Sequence, residues 1–359
     1  MSHKILVINP GSTSTKVAVY DGENELYTQT LRHSTEELNK FQEEEEQLNF
    51  RKQKVIEFLK EKSVALSDLD IVMARGGLSK PIESGVYLVD EDLLHDLKET
   101  PRKHASNWAA KIAFDIAQEG NVQACIADPV VVDELSDVAR ISGHPKFPKV
   151  SVFHALNQKA VARSYAKKIN KSYDELRLIV VHLGGGISVG AHLLGKVVDV
   201  NQALDGSGPF SPERSGSLPV GDVIRAAFSG AYTQEEMISM LVGKGGMTAY
   251  LGTNDAKEIE DKAKVGEEEE LAVMEALIYQ VAKEICSMTV PLENKVDAIL
   301  ITGGMAYGKW LTDKITEKVA HIADVEIFPG EDEMWALALN GNRVLNNETT
   351  PKRYGSTEF

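Results

Sequence analysis

The chain has 359 residues, 43% hydrophobic and 26% charged, with a formal net charge of −15. That length exceeds one average core and points to two domains with a cleft between them. The negative charge excludes non-specific nucleic-acid binding, which needs cations set against a run of phosphates, yet allows a small anion held by local Arg and His.

In chain order, residues 1–11 hold too short an apolar stretch for a secretory leader. Nowhere does an apolar run approach the ~20 residues of a membrane span, so a cytoplasmic protein free of membrane is expected. Residues 4–8 read as a buried strand, 9–14 as a turn and 15–20 as a second strand. Asp21-Gly22 signals a hairpin into a third strand over 25–31. Residues 34–62 read as one helix whose acidic middle, Glu43 to Glu46, is a solvated face. Cys125 and Cys286 are far apart, with no CxxC spacing, and are expected as buried small apolar side chains.

From residue 176 the opening pattern returns. Residues 176–182 read as a strand, Gly184-Gly185-Gly186 as a turn and 187–194 as a strand; Gly195-Lys196 is a tight turn before a strand over 197–200. A helix over 267–289 opens on Glu267 to Glu270, which suit the positive end of its dipole. Its Met274, Leu277, Val281 and Ile285 fall at helical spacing and are expected in the core. Residues 346–359 are polar and read as a loose tail.

Two strand–turn–strand–turn–strand units, each with a small-residue first turn, suggest two related domains. Turns of Gly and Ser offer backbone N–H groups and hydroxyls to an anion, and two of them could hold the two ends of a polyphosphate. Two unrelated hairpins are the plainer alternative. No GxxxxGK[ST] loop and no clean GxGxxG follows any strand, which disfavours a P-loop or dinucleotide-binding enzyme.

Three Gly-rich segments stand out: residues 9–16 (Asn9, Ser12, Ser14 and Lys16 among them), 182–188 and 301–305, the last with Gly303-Gly304 between a strand and a helix. In this order and at these separations they resemble the sugar-kinase/actin/heat-shock-chaperone superfamily, and within it the acetokinase family. The segments between them sharpen the likeness. Arg75-Gly76-Gly77 resembles the family's first substrate arginine, and His104 with Asn107 its His-Asn pair. Asp128-Pro129 resembles the segment of the catalytic aspartate, Phe153-His154 the Phe-His segment, Arg214 the second catalytic arginine, and Glu331 to Glu333 the acidic patch near magnesium. The chain departs from acetate kinases in its length, in Gly185 at the middle of its glycine turn, and in Gln158 after Phe-His. These departures resemble the family's butyrate-acting members.

The resemblance implies an α/β fold of two duplicated ribonuclease-H-like domains, each a mixed five-stranded sheet flanked by helices, with the cleft between them. Residues 1–155, with a C-terminal helix over about 335–359, would form the substrate and phosphate side, and 156–334 the nucleotide side. It implies transfer of a phosphoryl group from ATP, with Mg2+ or Mn2+, to a short-chain fatty acid: butyrate, with acetate, propionate and isobutyrate as alternatives. A homo-oligomer, and a phosphate acyltransferase as metabolic neighbour, follow as implications. An actin- or chaperone-like ATP-binding protein without acid kinase activity is the alternative of a different class.

A carboxylate is ionised at neutral pH and needs no general base; the difficulty is bringing it to an anionic phosphoryl group. Under the resemblance, Arg75 takes the acid's carboxylate and Arg214 the transferring group. His154 hydrogen-bonds a phosphoryl oxygen, and His182 lies near the phosphates, with His104 as a further binding residue. Asp128 orients Arg214 or engages the metal. Asn9 with Glu331 or Glu333 holds the metal's water shell. Ser12, Ser14 and Lys16 contact phosphate or stabilise the loop, and Gly184, Gly185, Gly186, Gly303 and Gly304 line the nucleotide.

Overall fold

Residues 5–8 and 17–20 are apolar at consecutive positions and all are buried, so both faces of these strands have to be covered. The computed structural model, which describes residues 3–11, 13–38, 40–41, 43–100 and 105–355, shows how. Ser12 and His104 lie outside the described residues. The chain divides into two compact units, Met1–Val132 with Asp332–Phe359, and Asp133–Glu331.

The first unit holds β1 (Lys4–Pro10), β2 (Ser14–Asp21), β3 (Asn24–Arg32), β4 (Ile71–Arg75), β5 (Val86–Leu88) and β6 (Gln123–Ala127) in the order β3-β2-β1-β4-β6-β5. β1 runs antiparallel to β2 and parallel to β4, which runs parallel to β6. One face buries Leu6, Ile8, Val17, Val19, Val72 and Ala74 against Val55, Phe58 and Leu59 of the helix Glu44–Glu61 and the alanine-rich helix Asn107–Gly120. Each Leu, Ile, Val or Phe among them, taken fully from water, contributes about 1.5–3 kcal/mol. Residues of opposite parity, Ile5, Ile71 and Met73, meet the C-terminal helix Glu333–Leu345. A Cβ on Gly341 of that helix would stand 2.9 Å from Met73 and 3.1 Å from Ile5, so bare backbone lets the helix lie close on the sheet.

The second unit holds β7 (Arg177–Leu183), β8 (Ile187–Leu193), β9 (Lys196–Val200), β10 (Ala298–Gly303) and β11 (Val325–Pro329) in the order β11-β10-β7-β8-β9. The pairing repeats: β7 is antiparallel to β8, and parallel to β10, which is parallel to β11. The helix Ala155–Lys168 covers one face through Val161, Ala162, Tyr165 and Ala166. The helices Glu268–Ser287 and Lys309–Val319 cover the other, with Met274, Leu277, Val281 and Ile285 buried as their spacing predicts.

Several details differ from the sequence reading. The first sheet has six strands, because the short β5 adds to the edge of β6. The helix expected over 34–62 is two, Thr35–Leu38 and Glu44–Glu61; the second starts afresh where Glu46 accepts from the Glu43 N–H at 3.5 Å. Glu43 to Glu46 are exposed. The tail is tied down as far as it is described. Lys352 donates to the Val86 carbonyl (2.8 Å) and accepts from the Leu88 N–H (2.9 Å), which caps the edge of β5, and the Tyr354 hydroxyl donates to Asp96 (2.6 Å). Cys125 is buried, and burial pushes its thiol up to about 12, but Cys286 is exposed on its helix. The units divide after Val132 and after Glu331, whereas the sequence reading sets its boundaries at 155 and 334. Residues just past 132 belong to the second unit because Glu134 accepts from Lys159 Nζ (2.7 Å) and the Val197 N–H (2.8 Å).

Candidate active site

Parallel strands bring their carboxyl ends to one edge, where loops and helix termini supply polar groups. In the first unit that edge gathers Asn9 from β1, Arg75 from β4 and Asp128 just past β6. Glu333 joins them from the first turn of the C-terminal helix, whose cap Asp332 accepts from the Trp335 N–H at 2.8 Å. Glu333 accepts from Asn9 Nδ2 at 2.5 Å and pairs with Arg75 at 3.1 Å; Arg75 also donates to Asn9 Oδ1 at 3.5 Å. Arg75 therefore presents its fork to a carboxylate within its own unit.

Asp128 is nearly fully buried with φ +38°, a strained setting for a non-glycine residue. Its Oδ1 accepts from the Ser84 hydroxyl (2.6 Å) and the Gly85 N–H (2.9 Å), so it locks the entry to β5 beside Arg75. Its expected partner Arg214 belongs to the other unit. Asn107, the described half of the His-Asn pair, accepts from the Leu78 N–H at 2.8 Å and holds the segment after Arg75. Lys16 stands directly across from Asn9 in the β1–β2 ladder, on the same face, and is exposed.

The turn between β1 and β2 has an anchor that the sequence does not reveal. Buried Arg51 donates through Nη1 to the carbonyls of Gly11 and Ser14, both at 2.9 Å, and to the Thr15 hydroxyl at 3.1 Å. Burial lowers its pKa to about 10, which leaves it charged at neutral pH. Ser14 closes the turn by accepting from the Gly11 N–H at 2.8 Å.

In the second unit, His182, next to last in β7, is fully buried, with Nδ1 2.8 Å from Asn157 Oδ1. Burial and the nearby Arg214 lower its pKa to about 3, so the ring is neutral and its 3.6 Å approach to Glu331 is not an ion pair. Among the described residues its Nε2 has no hydrogen-bond partner; it is buried and points at the glycine turn, 2.8 Å from where a Gly184 Cβ would stand. His154, at the start of the helix Ala155–Lys168, stacks on it with centroids 3.8 Å apart.

Arg214 lies on the bare backbone of Gly186: a Cβ there would sit 2.0 Å from Nη1. Its guanidinium donates to the Ala203 carbonyl, and burial lowers its pKa against the opposing pull of Glu213, Asp205 and Glu331. The Ser211 hydroxyl donates to the Gly185 carbonyl (2.6 Å) and accepts from the Arg214 N–H (3.2 Å), tying arginine loop to glycine turn. Gly303 has φ +95° and presses on the Leu183 carbonyl, 2.2 Å from a would-be Cβ, so packing accounts for it. Gly304 and Gly185 are exposed, and a Cβ on either would meet nothing closer than Glu213 Oε2 at 3.8 Å from Gly185. Their bareness serves no packing within the described chain and fits close approach of a ligand.

The donor set can be tested against a hard cation. An amide and a carboxylate, Asn9 and Glu333, stand one hydrogen bond apart. No group of three or more His, Cys, Asp or Glu side chains among the described residues forms a metal cage. The pair of one amide and one carboxylate is the kind of set magnesium takes, since it uses one or two carboxylates and keeps water and phosphate for the rest. Of the two candidate glutamates, Glu333 is the one beside Asn9, and Glu331 is the one beside His182.

Two units that share the order of five strands, each with small-residue turns and a guanidinium at its polar groups, define the class. Residues 150–346 match the profile of the acetokinase family, and the chain belongs to that family. Among its relatives, Butyrate kinase 2 of Clostridium acetobutylicum is 51% identical over 355 residues, 99% of this chain and 100% of that protein. A probable butyrate kinase of Clostridium botulinum is also 51% identical, over 99% of this chain and 100% of its own length. Among solved structures, the fold is that of Porphyromonas gingivalis acetate kinase, with a TM-score of 0.78 at 17% identity, covering 96% of this chain and 100% of that one. A propionate kinase of Francisella tularensis gives a TM-score of 0.74 at 20% identity, covering 94% and 98%.

Proposed function

We propose that this protein phosphorylates butyrate with ATP, reversibly giving butanoyl phosphate and ADP by direct in-line transfer. The observation that carries the reading is full-length identity of 51% to a butyrate kinase. Arg75, which already engages the carboxylate of Glu333, is the group for the acid, and Arg214 neutralises charge on the moving phosphoryl group. His154 donates a hydrogen bond to an oxygen of that group, and His182, neutral and buried, turns Nε2 to the phosphates at the glycine turn. Asp128 acts by holding the backbone beside Arg75. Gly185 and Gly304 admit the nucleotide to bare backbone, and Lys16, Ser12, Ser14 and His104 serve phosphate or substrate.

Asn9 and Glu333 would hold magnesium, with Glu331 as the further acidic candidate. When bound, the ion supplies charge neutralisation on the nucleotide phosphates. In the expected cytoplasmic setting, a phosphate acyltransferase makes or consumes the acyl phosphate. We also propose a homo-oligomer. Val220, Ile224 and Phe228 recur at helical spacing on and just past the helix Val220–Ala227, and are 70%, 53% and 88% exposed. A second copy would cover that apolar face.

Hydroxamate trapping of acyl phosphate across acetate, propionate, butyrate and isobutyrate tests the substrate reading. The highest kcat/KM is expected with butyrate. A preference for acetate would overturn the choice of acid, and no hydroxamate above an acid-free control would overturn the kinase reading.

A further inference from the structure

Behind His154 runs a buried chain of hydrogen bonds that the proposed reaction does not by itself require. His154 Nδ1 lies 2.9 Å from Ser188 Oγ. Gln158 Nε2 donates to the same Oγ at 2.8 Å and to the Ser188 carbonyl at 3.1 Å. Gln158 Oε1 lies 2.9 Å from His192 Nε2, and His192 Nδ1 lies 2.6 Å from the Tyr173 hydroxyl. Ser188, Gln158 and His192 are each fully buried.

The direction of every bond is fixed by groups that have no choice. A backbone carbonyl only accepts, so the Gln158 amide must turn its NH2 to Ser188 and its oxygen to His192. His192 therefore donates through Nε2. Burial, with Lys159 and Arg163 near, holds its pKa well below the usual value, so the neutral ring accepts at Nδ1 from Tyr173. At the other end, Ser188 Oγ already accepts from Gln158 and, at 3.5 Å, from the His154 N–H. Both lone pairs are used, and the hydroxyl proton is directed to His154 Nδ1. A ring that accepts at Nδ1 carries its proton on Nε2.

We propose that Ser188 and Gln158, backed by His192 and Tyr173, are positioning residues that fix His154 as the Nε2-protonated tautomer, a hydrogen-bond donor to an anionic oxygen. The proposal rests on the role given above to His154 and deepens it. It gives Gln158 a task that its place among buried side chains does not require, since packing alone would accept either orientation of the amide. Groups behind a reacting imidazole that set its tautomer and orientation commonly carry large rate effects.

The test is the nitrogen-15 spectrum of protein labelled in its histidines, with His154 assigned by the signal lost in His154→Gln. The expected result is a His154 ring protonated at Nε2 and bare at Nδ1. In Ser188→Ala the two tautomers should mix, kcat should fall about tenfold or more, and KM for ATP and acid should stay within about twofold. Gln158→Glu keeps the shape but reverses the donor to Ser188, and should have the same effect. A His154 protonated at Nδ1 in the unaltered protein would overturn the proposal, as would a Ser188→Ala protein with unchanged tautomer and kcat. If Ser188→Ala does not fold, the spectrum of the unaltered protein decides alone. The spectrum does not depend on turnover, so failure of the butyrate reading and failure of this one are distinguishable.

Discussion

Arg75 is held by Glu333 and Asn9 at 3.1 and 3.5 Å, and the same guanidinium is the group given to the acid. Truncating it removes the fork that binds a carboxylate in two parallel bonds, and it also frees Glu333 and Asn9 to face each other alone. Arg75→Ala should lower kcat/KM for butyrate by about 100-fold, mostly through KM for the acid, while the protein stays folded. Steady-state kinetics over butyrate concentration check this; an unchanged KM would remove Arg75 from the acid site. The candidate residues were legible because each stands in a short segment with its own flanks, Arg75 before two glycines and Arg214 in a Ser-Gly stretch. Their partners were not. Glu333 reaches Asn9 across 324 residues, and nothing in the spacing separates it from Glu331 until the C-terminal helix is laid on the sheet.

Among elements, β1, β2 and β7 are plain in the sequence because they are apolar at consecutive positions, exposed β3 only through its Asp21-Gly22 hairpin, and the long helix 268–287 because its core residues recur at helical spacing. The turns are less so. Arg51 anchors the turn after β1 from a helix 36 to 40 residues away, past the acidic run read as solvated, and only tertiary packing gives it that place. The β5 edge capped by Lys352 is hidden because backbone partners leave no side-chain pattern, and the helix start at Glu44 because its capping glutamates sit inside an acidic run. The glycine turn offers a test at this scale. Gly186→Ala places a Cβ 2.0 Å from Arg214 Nη1 and must displace the guanidinium, so kcat should fall about 100-fold. Gly185→Ala meets only Glu213 Oε2 at 3.8 Å, and its cost should fall on KM for ATP with thermal stability unchanged. Kinetics and melting curves on both variants check the contrast, and wild-type kcat in Gly186→Ala would contradict it.

For the whole molecule, acid should be destabilising through a buried histidine. His33 lies 2.9 Å from the Thr15 hydroxyl through Nε2, and burial with Arg51 nearby lowers its pKa to about 4. The unfolded chain takes up the proton first, near pH 6.5, so stability rises with pH between about 4 and 6.5 and is lost on acidification across that window. The term amounts to about 2 kcal/mol at pH 5 relative to neutral pH. Melting temperatures measured from pH 7 to 4.5 should fall, and His33→Gln should lessen the fall, leaving the share of buried His182 and His192; parallel curves would exclude His33 as a source. Assembly is a second property at this scale. Ile224→Glu sets a charge on the apolar face of the helix Val220–Ala227 and should yield monomers in sedimentation velocity where the unaltered chain sediments as a multiple. Monomers in both would remove the oligomer.

In the proposed reaction the terminal phosphoryl group of ATP passes to an acid and not to water. Phosphorus-31 NMR of the protein with ATP, magnesium and butyrate follows that group directly. An acyl phosphate resonance should grow with ADP in equal amount, be absent without butyrate, and be lost in Arg214→Ala. Release of inorganic phosphate from ATP at the same rate with and without butyrate, with no acyl phosphate formed, would contradict it.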